Sequence, residues 1–276
     1  MSYHERVSIY PDWMLPSMPP PPVPRISGSA MPGGVHMSTG TVRTSTDWQL
    51  ALTGLSIAAL GALAMVLTYV VTWLVGQQTG LPLVPYLLQI TAISDQQSDV
   101  AFQIGLNALT LLSFLVLMRL SPLSGYHAAE HKVIGAIEHF GELTEEGAWA
   151  MPRAHRRCGS NLLAGVLPAL LVGVPLMSVS VLAGTAVIVL GWGMRFHTGY
   201  FIQQVFATRE PSARQMRGGL EAGRKLLAEW SNNPYRRVAP LVNLWRRGFV
   251  QMFVGLVVGL QAAGMIYAHL HLWLDF

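Results

Sequence analysis

The amino-acid sequence predicts an all-α, polytopic integral membrane protein with about five transmembrane helices. Three observations predict it. Of the 276 residues, 51% are hydrophobic and only 12% charged, against about 25% charged in an average soluble domain. The mean hydropathy is +0.40. The apolar residues are gathered into long uncharged runs separated by basic segments, the pattern of successive membrane crossings. A single cysteine excludes an internal disulfide, so the fold depends on no oxidising compartment.

Residues 1–47 read as a proline-rich flexible arm. Pro11, Pro16, Pro19–Pro22, Pro24 and Pro32, with scattered Gly and Ser, favour polyproline II and turns. Such an arm could order against a partner subunit. No signal peptide is evident ahead of the first apolar run, near Trp48. Residues 48–276 read as a single helical membrane domain. Its first span covers about residues 50–75, with Gly54, Ala58 and Ala62 four apart, a spacing that suits close helix packing. Pro82 and Pro85 break that helix, and Leu83–Ile93 is placed in the outer interface. The second span covers about 100–118 and stops at Arg119 and Ser121-Pro122.

Gly159–Met194 carries no charge over 36 residues, about 54 Å as a helix, too long for one crossing. Pro175 and Ser178–Ser180 near its middle predict a tight hairpin, with spans at about 161–177 and 181–194. A re-entrant pair is the alternative. Residues 195–247 are polar and basic. There Pro211-Ser212 starts a helix running to Trp230, with Leu220, Leu227 and Trp230 on its apolar side and Arg214, Arg217, Arg224 and Lys225 elsewhere. Gly218, Gly219 and Gly223 argue against that helix, which is placed at the membrane surface. The last span covers about 248–274 and carries Gly255 and Gly259 four apart.

The net charge of +4 could suggest nucleic acid, but its distribution excludes that class. All 18 Lys and Arg fall in the arm, in Arg119–Arg157 or in Arg195–Arg247. With five spans, alternation puts these three regions on one side, and the positive-inside rule makes that side the cytoplasm. The N-terminus is then cytoplasmic and the C-terminus outside. The partners expected are the lipid bilayer and, at segment 195–247, anionic lipid headgroups.

One stretch stands apart. Tyr126–Ser160 holds four of the nine histidines and the only cysteine. It is expected to form a helix over Tyr126–Phe140, to stop at Gly141 and to restart at Thr144. His127 and His131 flank Glu130 as H-x-x-E-H, and His155 and Cys158 follow as H-x-x-C. At about 100° per residue from His127, His131 lies near 40°, Glu138 near 20° and Glu130 near −60°. One helix side thus gathers two imidazoles and two carboxylates, an expensive surface in a charge-poor chain unless a metal or a proton relay uses it.

Imidazoles and a thiolate favour a divalent metal of the zinc type. His127, His131, His155 and Cys158 together would close a structural site. Three of them plus water would leave a catalytic one, with Glu130 as general base. Glu138 is an alternative ligand on the same face, and His197 could approach from the end of the fourth span. Cys158 as a nucleophile activated by His155 is a competing reading, though H-x-x-C in a loop suits chelation better. The bland reading is a solvated or hydrogen-bonded histidine cluster.

Three segments carry a family likeness: Tyr126-His127-Ala128-Ala129-Glu130-His131-Lys132, Gly141-Glu142-Leu143-Thr144 and His155-Arg156-Arg157-Cys158-Gly159. They resemble the YqhQ-like family of bacterial membrane proteins, described as predicted metal-dependent enzymes. Gln203–Pro211 resembles that family's second signature. The resemblance covers about residues 100–230; Gly135-Ala136-Ile137 and His139 depart from the pattern, so His139 takes no family role. It implies metal dependence in the bacterial inner membrane and supplies no substrate. The expected function is a metal-dependent hydrolase at the cytoplasmic membrane surface. The alternative is a non-catalytic subunit of a membrane complex whose His/Cys/Glu cluster is structural.

Overall fold

The computed structural model describes residues 25–87, 97–155, 158–232 and 238–274. The elements run β1 (Ser27–Met31), β2 (Gly34–Ser38), α1 (Asp47–Thr79), α2 (Leu83–Leu87), α3 (Gln97–Leu120), α4 (Pro122–Phe140) and α5 (Glu145–Ala150). They continue with α6 (Ser160–Leu176), α7 (Val181–Ile202), a π-helical turn (Gln203–Ala207), α8 (Ala213–Ser231), α9 (Pro240–Arg246) and α10 (Phe249–Leu274). The chain divides into two compact units, one of Met1–Gly54, Gly125–Arg153 and Glu210–Leu256, the other of Leu55–Ser124, Ala154–Arg209 and Val257–Phe276.

The first unit is a core built on α4. Tyr126, Val133, Ile134 and Ile137 of α4 pack with Met216, Leu220 and Leu226 of α8 and with Val35 and Met37 of β2. The strands pair antiparallel, Gly28 opposite Met37 and Ala30 opposite Val35, so these four residues share the face turned to that core. A lone two-stranded hairpin is marginal in water; burial of Val35 and Met37 holds this one. The sequence reading carried a flexible arm to residue 47. Its residues 1–24 lie outside the described residues, whereas from Ser27 the chain is paired and packed.

The three glycines that argued against α8 explain part of its packing. A Cβ on Gly219 would stand 3.3 Å from Ala129, and one on Gly223 only 2.7 Å from Val133 and Leu143. Glycine lets the two helix backbones meet, at a helix-propensity cost of about 1 kcal/mol each. A capping box between Ser212 and Gln215 starts the helix. Its apolar side is therefore spent on α4, while Arg214, Arg217, Arg224 and Lys225 stay exposed.

In the second unit α6 and α7 form the expected helical hairpin, joined across Ser178–Ser180 with Ser180 capping α7. A Cβ on Gly165 would lie 1.8 Å from the Arg195 carbonyl, and one on Gly199 2.0 Å from that of Asn161. Both contacts lie at the end away from the turn; nearer the turn, a Cβ on Gly184 would fall 2.6 Å from the Gly173 carbonyl. The arms are unequal, however. α6 has 17 residues, about 26 Å, short of a typical 30 Å bilayer core. α7 runs past the expected Met194 because Arg195 need not end it: its guanidinium lies over the Trp192 and Phe196 rings, 4.5 and 4.4 Å from their centroids.

Among the described residues, four helices are long and apolar enough to cross a membrane: Asp47–Thr79, Asp99–Leu120, Val181–Ala207 and Phe249–Tyr267. The fifth expected span is the short α6. The interfacial stretch expected over Leu83–Ile93 is helical to Leu87, and its remainder lies outside the described residues. The small-residue stripes of the first and last spans meet each other. Gly54 sits against the Met252 carbonyl and Gly255 against that of Ala51, a Cβ on either falling 1.8 Å away.

Candidate functional site

α4 places the H-x-x-E-H residues as the 3.6-residue period requires. The His127 and His131 rings are neighbours, centroids 4.3 Å apart and planes tilted by 57°. Two nitrogens bound at 2.0–2.1 Å to one tetrahedral ion lie about 3.3 Å apart. The neighbouring rings are close enough for one nitrogen of each to turn towards a common ion. His131 is almost fully buried, and its Nδ1 lies 2.8 Å from the carbonyl oxygen of Arg153. A carbonyl only accepts, so Nδ1 carries the proton and Nε2 presents its lone pair. That is the tautomer-fixing arrangement of metal-binding histidines.

Glu130 is 4% exposed. It lies directly beneath β1: a Cβ added to Gly28 would fall 2.6 Å from the Glu130 Oε1. Glycine at residue 28 is thus what lets strand backbone approach the carboxylate. Two residues on, Lys132 is about as buried and fully used. Its Nζ donates to the carbonyls of Trp149 (3.0 Å) and Met151 (2.8 Å) and pairs with Glu210 at 3.0 Å. Three donors meet three oxygens, so the buried ammonium is satisfied. Lys132 and His131 together pin residues 149–153 to α4.

Glu138 shares the helix side but lies seven residues beyond His131, about 10.5 Å along the axis. That separation removes it from the ion that two adjacent turns could share. His139 is exposed at the helix end. Gly141, with φ of 75°, closes the helix, and the Thr144 hydroxyl accepts from the Gly147 N–H to start α5, both as the sequence indicated.

His155 and Cys158 belong to the second unit. They form one turn, closed by the Cys158 N–H on the His155 carbonyl at 3.2 Å. Both backbone groups of His155 are held by buried carboxamides: its N–H donates to Gln203 Oε1 at 2.7 Å, and its carbonyl accepts from Asn161 Nδ2 at 3.1 Å. Cys158 is half-buried and its thiol forms no disulfide. As donors, His127, His131 and Cys158 have the chemistry to hold one metal ion.

The sequence reading missed Lys132, Arg153, Gly28, Asn161 and Gln203. Lys132 had a signal, as the one Lys or Arg in the α4 sequence, beside His131. Gln203 had one too, at the head of the second signature. The Arg153 contact is made by a backbone carbonyl, which no side-chain pattern announces.

These features define a class: a predominantly α-helical protein with helices long and apolar enough to cross a membrane and a paired-histidine helix packed in a small apolar core. The chain matches the family described as "Protein of unknown function (DUF1385)" over residues 33–192, and it belongs to that family. The match takes in β2, α4 and the H-x-x-C turn. No curated protein and no solved structure matches the chain.

Proposed function

We propose that this protein is a metal-dependent membrane enzyme, a hydrolase of the zinc type, with His127, His131 and Cys158 as ligands and a fourth position left to water. The observation that carries this reading is the His127–His131 pair, with the His131 tautomer fixed by Arg153. Cys158 is only five residues beyond Arg153, within about 17 Å of extended chain. A bound divalent ion would polarise a carbonyl or phosphoryl group and acidify water. Glu130, one residue from His131, would take the water's proton, held in place beneath Gly28. The finer resemblance to YqhQ-like proteins agrees with metal dependence.

The same geometry supports a second reading. Glu130 is enclosed by strand backbone, as a carboxylate would be in a structural, non-catalytic site. Glu130→Gln separates the two. The enzymatic reading expects bound metal to be retained and turnover of a hydrolysable substrate to fall by about 10² or more. Unchanged turnover would leave the structural reading standing.

We place the site on the cytoplasmic side of the bacterial inner membrane. α1 and α3 return the chain to the side on which it began, and the α6–α7 hairpin does so whether both arms cross or the pair is re-entrant. The three basic regions then share the cytoplasmic face, and α10 carries the C-terminus outside. The exposed basic side of α8 suits anionic headgroups. A cysteine introduced at Thr79 should react with an impermeant maleimide from outside the cell, and one at Ser231 should not; the opposite pattern overturns the orientation.

A further inference from the structure

We propose that Gln203 is a positioning residue that presents the Cys158 thiolate for metal ligation. The proposal rests on the metal reading for its ligation step and on hydrogen bonding alone for the rest. Gln203 is 1% exposed and opens the π-helical turn that ends α7. Single π turns recur where a helix must aim a side chain at a functional site. This one is locked from two sides. The Gln203 carbonyl accepts both the N–H and the hydroxyl of Thr208, each at 2.9 Å, and the Arg119 guanidinium donates to the Thr208 carbonyl.

The locked turn holds the Gln203 carboxamide against the start of H-x-x-C. Its orientation is unambiguous, since the His155 N–H can only donate and so must face Oε1. Nε2 is then a buried donor without a protein acceptor among the described residues, an arrangement that a merely space-filling side chain would avoid. Asn161, also buried, completes the clamp from α6 through the His155 carbonyl. The His155 end of the turn is thereby held by two carboxamides 42 positions apart in sequence.

Cys158 is the only cysteine, so thiol alkylation reports this turn and nothing else. In detergent-purified, metal-free full-length protein, Gln203→Met removes the acceptor at nearly constant size. Iodoacetamide should then modify Cys158 about tenfold faster, as expected when one buried hydrogen bond is lost. In cobalt-loaded protein the same variant should lose most of the thiolate-to-cobalt charge-transfer band and bind cobalt about 10–100-fold more weakly. Gln203→Glu keeps an acceptor for the His155 N–H and should restore parental alkylation and the band.

Parental alkylation in Gln203→Met overturns the proposal, and so does a Gln203→Glu protein that behaves like Gln203→Met. No cobalt band in the parent, together with faster alkylation in Gln203→Met, would sink the metal reading while leaving the clamp. If Gln203→Met fails to fold, hydrogen exchange of the parent decides. A protected His155 amide supports the clamp, and exchange at open-loop rates refutes it.

Discussion

The helix α4 and the His155–Cys158 turn carry the proposed metal ligands, and they are held by different physics. α4 is fixed by packing: Val133 and Ile137 are fully buried, each contributing about 1.5–3 kcal/mol, and the glycine face of α8 closes on it. The turn is held differently. It is fixed through its backbone, by Gln203 and Asn161. A ligand on the packed helix is tied to the stability of its unit. A ligand on the clamped turn can change with little consequence for the fold.

The sharpest way to break this contrast is to delete one donor from each side. His131→Ala should abolish metal binding and also destabilise the protein, because it removes a buried imidazole and its hydrogen bond to the Arg153 carbonyl. The stability part is about 1–3 kcal/mol, readable as a lowered midpoint in thermal unfolding. Cys158→Ser should weaken zinc clearly while the unfolding midpoint of the metal-free protein stays put. Equal thermal losses in both variants would erase the distinction.

The second effect is one of pH and belongs to the packed unit. His36 is fully buried on the outer face of β2. Burial pushes its imidazole down to about 4; the Arg43 guanidinium adds to this, and the backbone of Arg246 and Arg247 opposes it. The unfolded chain takes up the proton near 6.5, so this contribution to stability is complete above that pH. It is lost progressively as pH falls towards 4, by about 3 kcal/mol in all. His36→Leu should therefore show a shallower fall in unfolding midpoint between those pH values than the parent.

Smaller effects sharpen the account of α4 itself. Lys132→Met strands the carbonyls of Trp149 and Met151 and should cost about 1–3 kcal/mol in chemical denaturation, with metal content unchanged. Gly28→Ala forces a methyl onto Glu130 and should cost about 1–3 kcal/mol as overpacking. If that cost is absent, β1 does not press on the carboxylate as described.

The same contrast explains what the sequence disclosed. α4, with both its histidines on one side, follows from local periodicity, and the long apolar runs announced the membrane spans. The hairpin at Ser27–Ser38 was hidden because Pro32 and its neighbours look like those of a disordered arm, and only burial of Val35 and Met37 makes it stable. α8 read ambiguously since its glycines lower helix propensity, while their role against Val133 and Leu143 exists only in three dimensions. The clamp on the turn was illegible for the same reason: Gln203 is 48 positions from His155.

The paired histidines of α4 are proposed to carry a metal ion. Metal analysis of the full-length protein, purified without chelators, beside His127→Ala tests this most directly. His127→Ala suits this comparison because His127 is less buried than His131, so the variant is expected to fold. A stoichiometric transition metal, zinc foremost, is expected in the parent, with a near-complete loss in the variant. A metal-free parent, or a variant that holds as much metal as the parent, would contradict it.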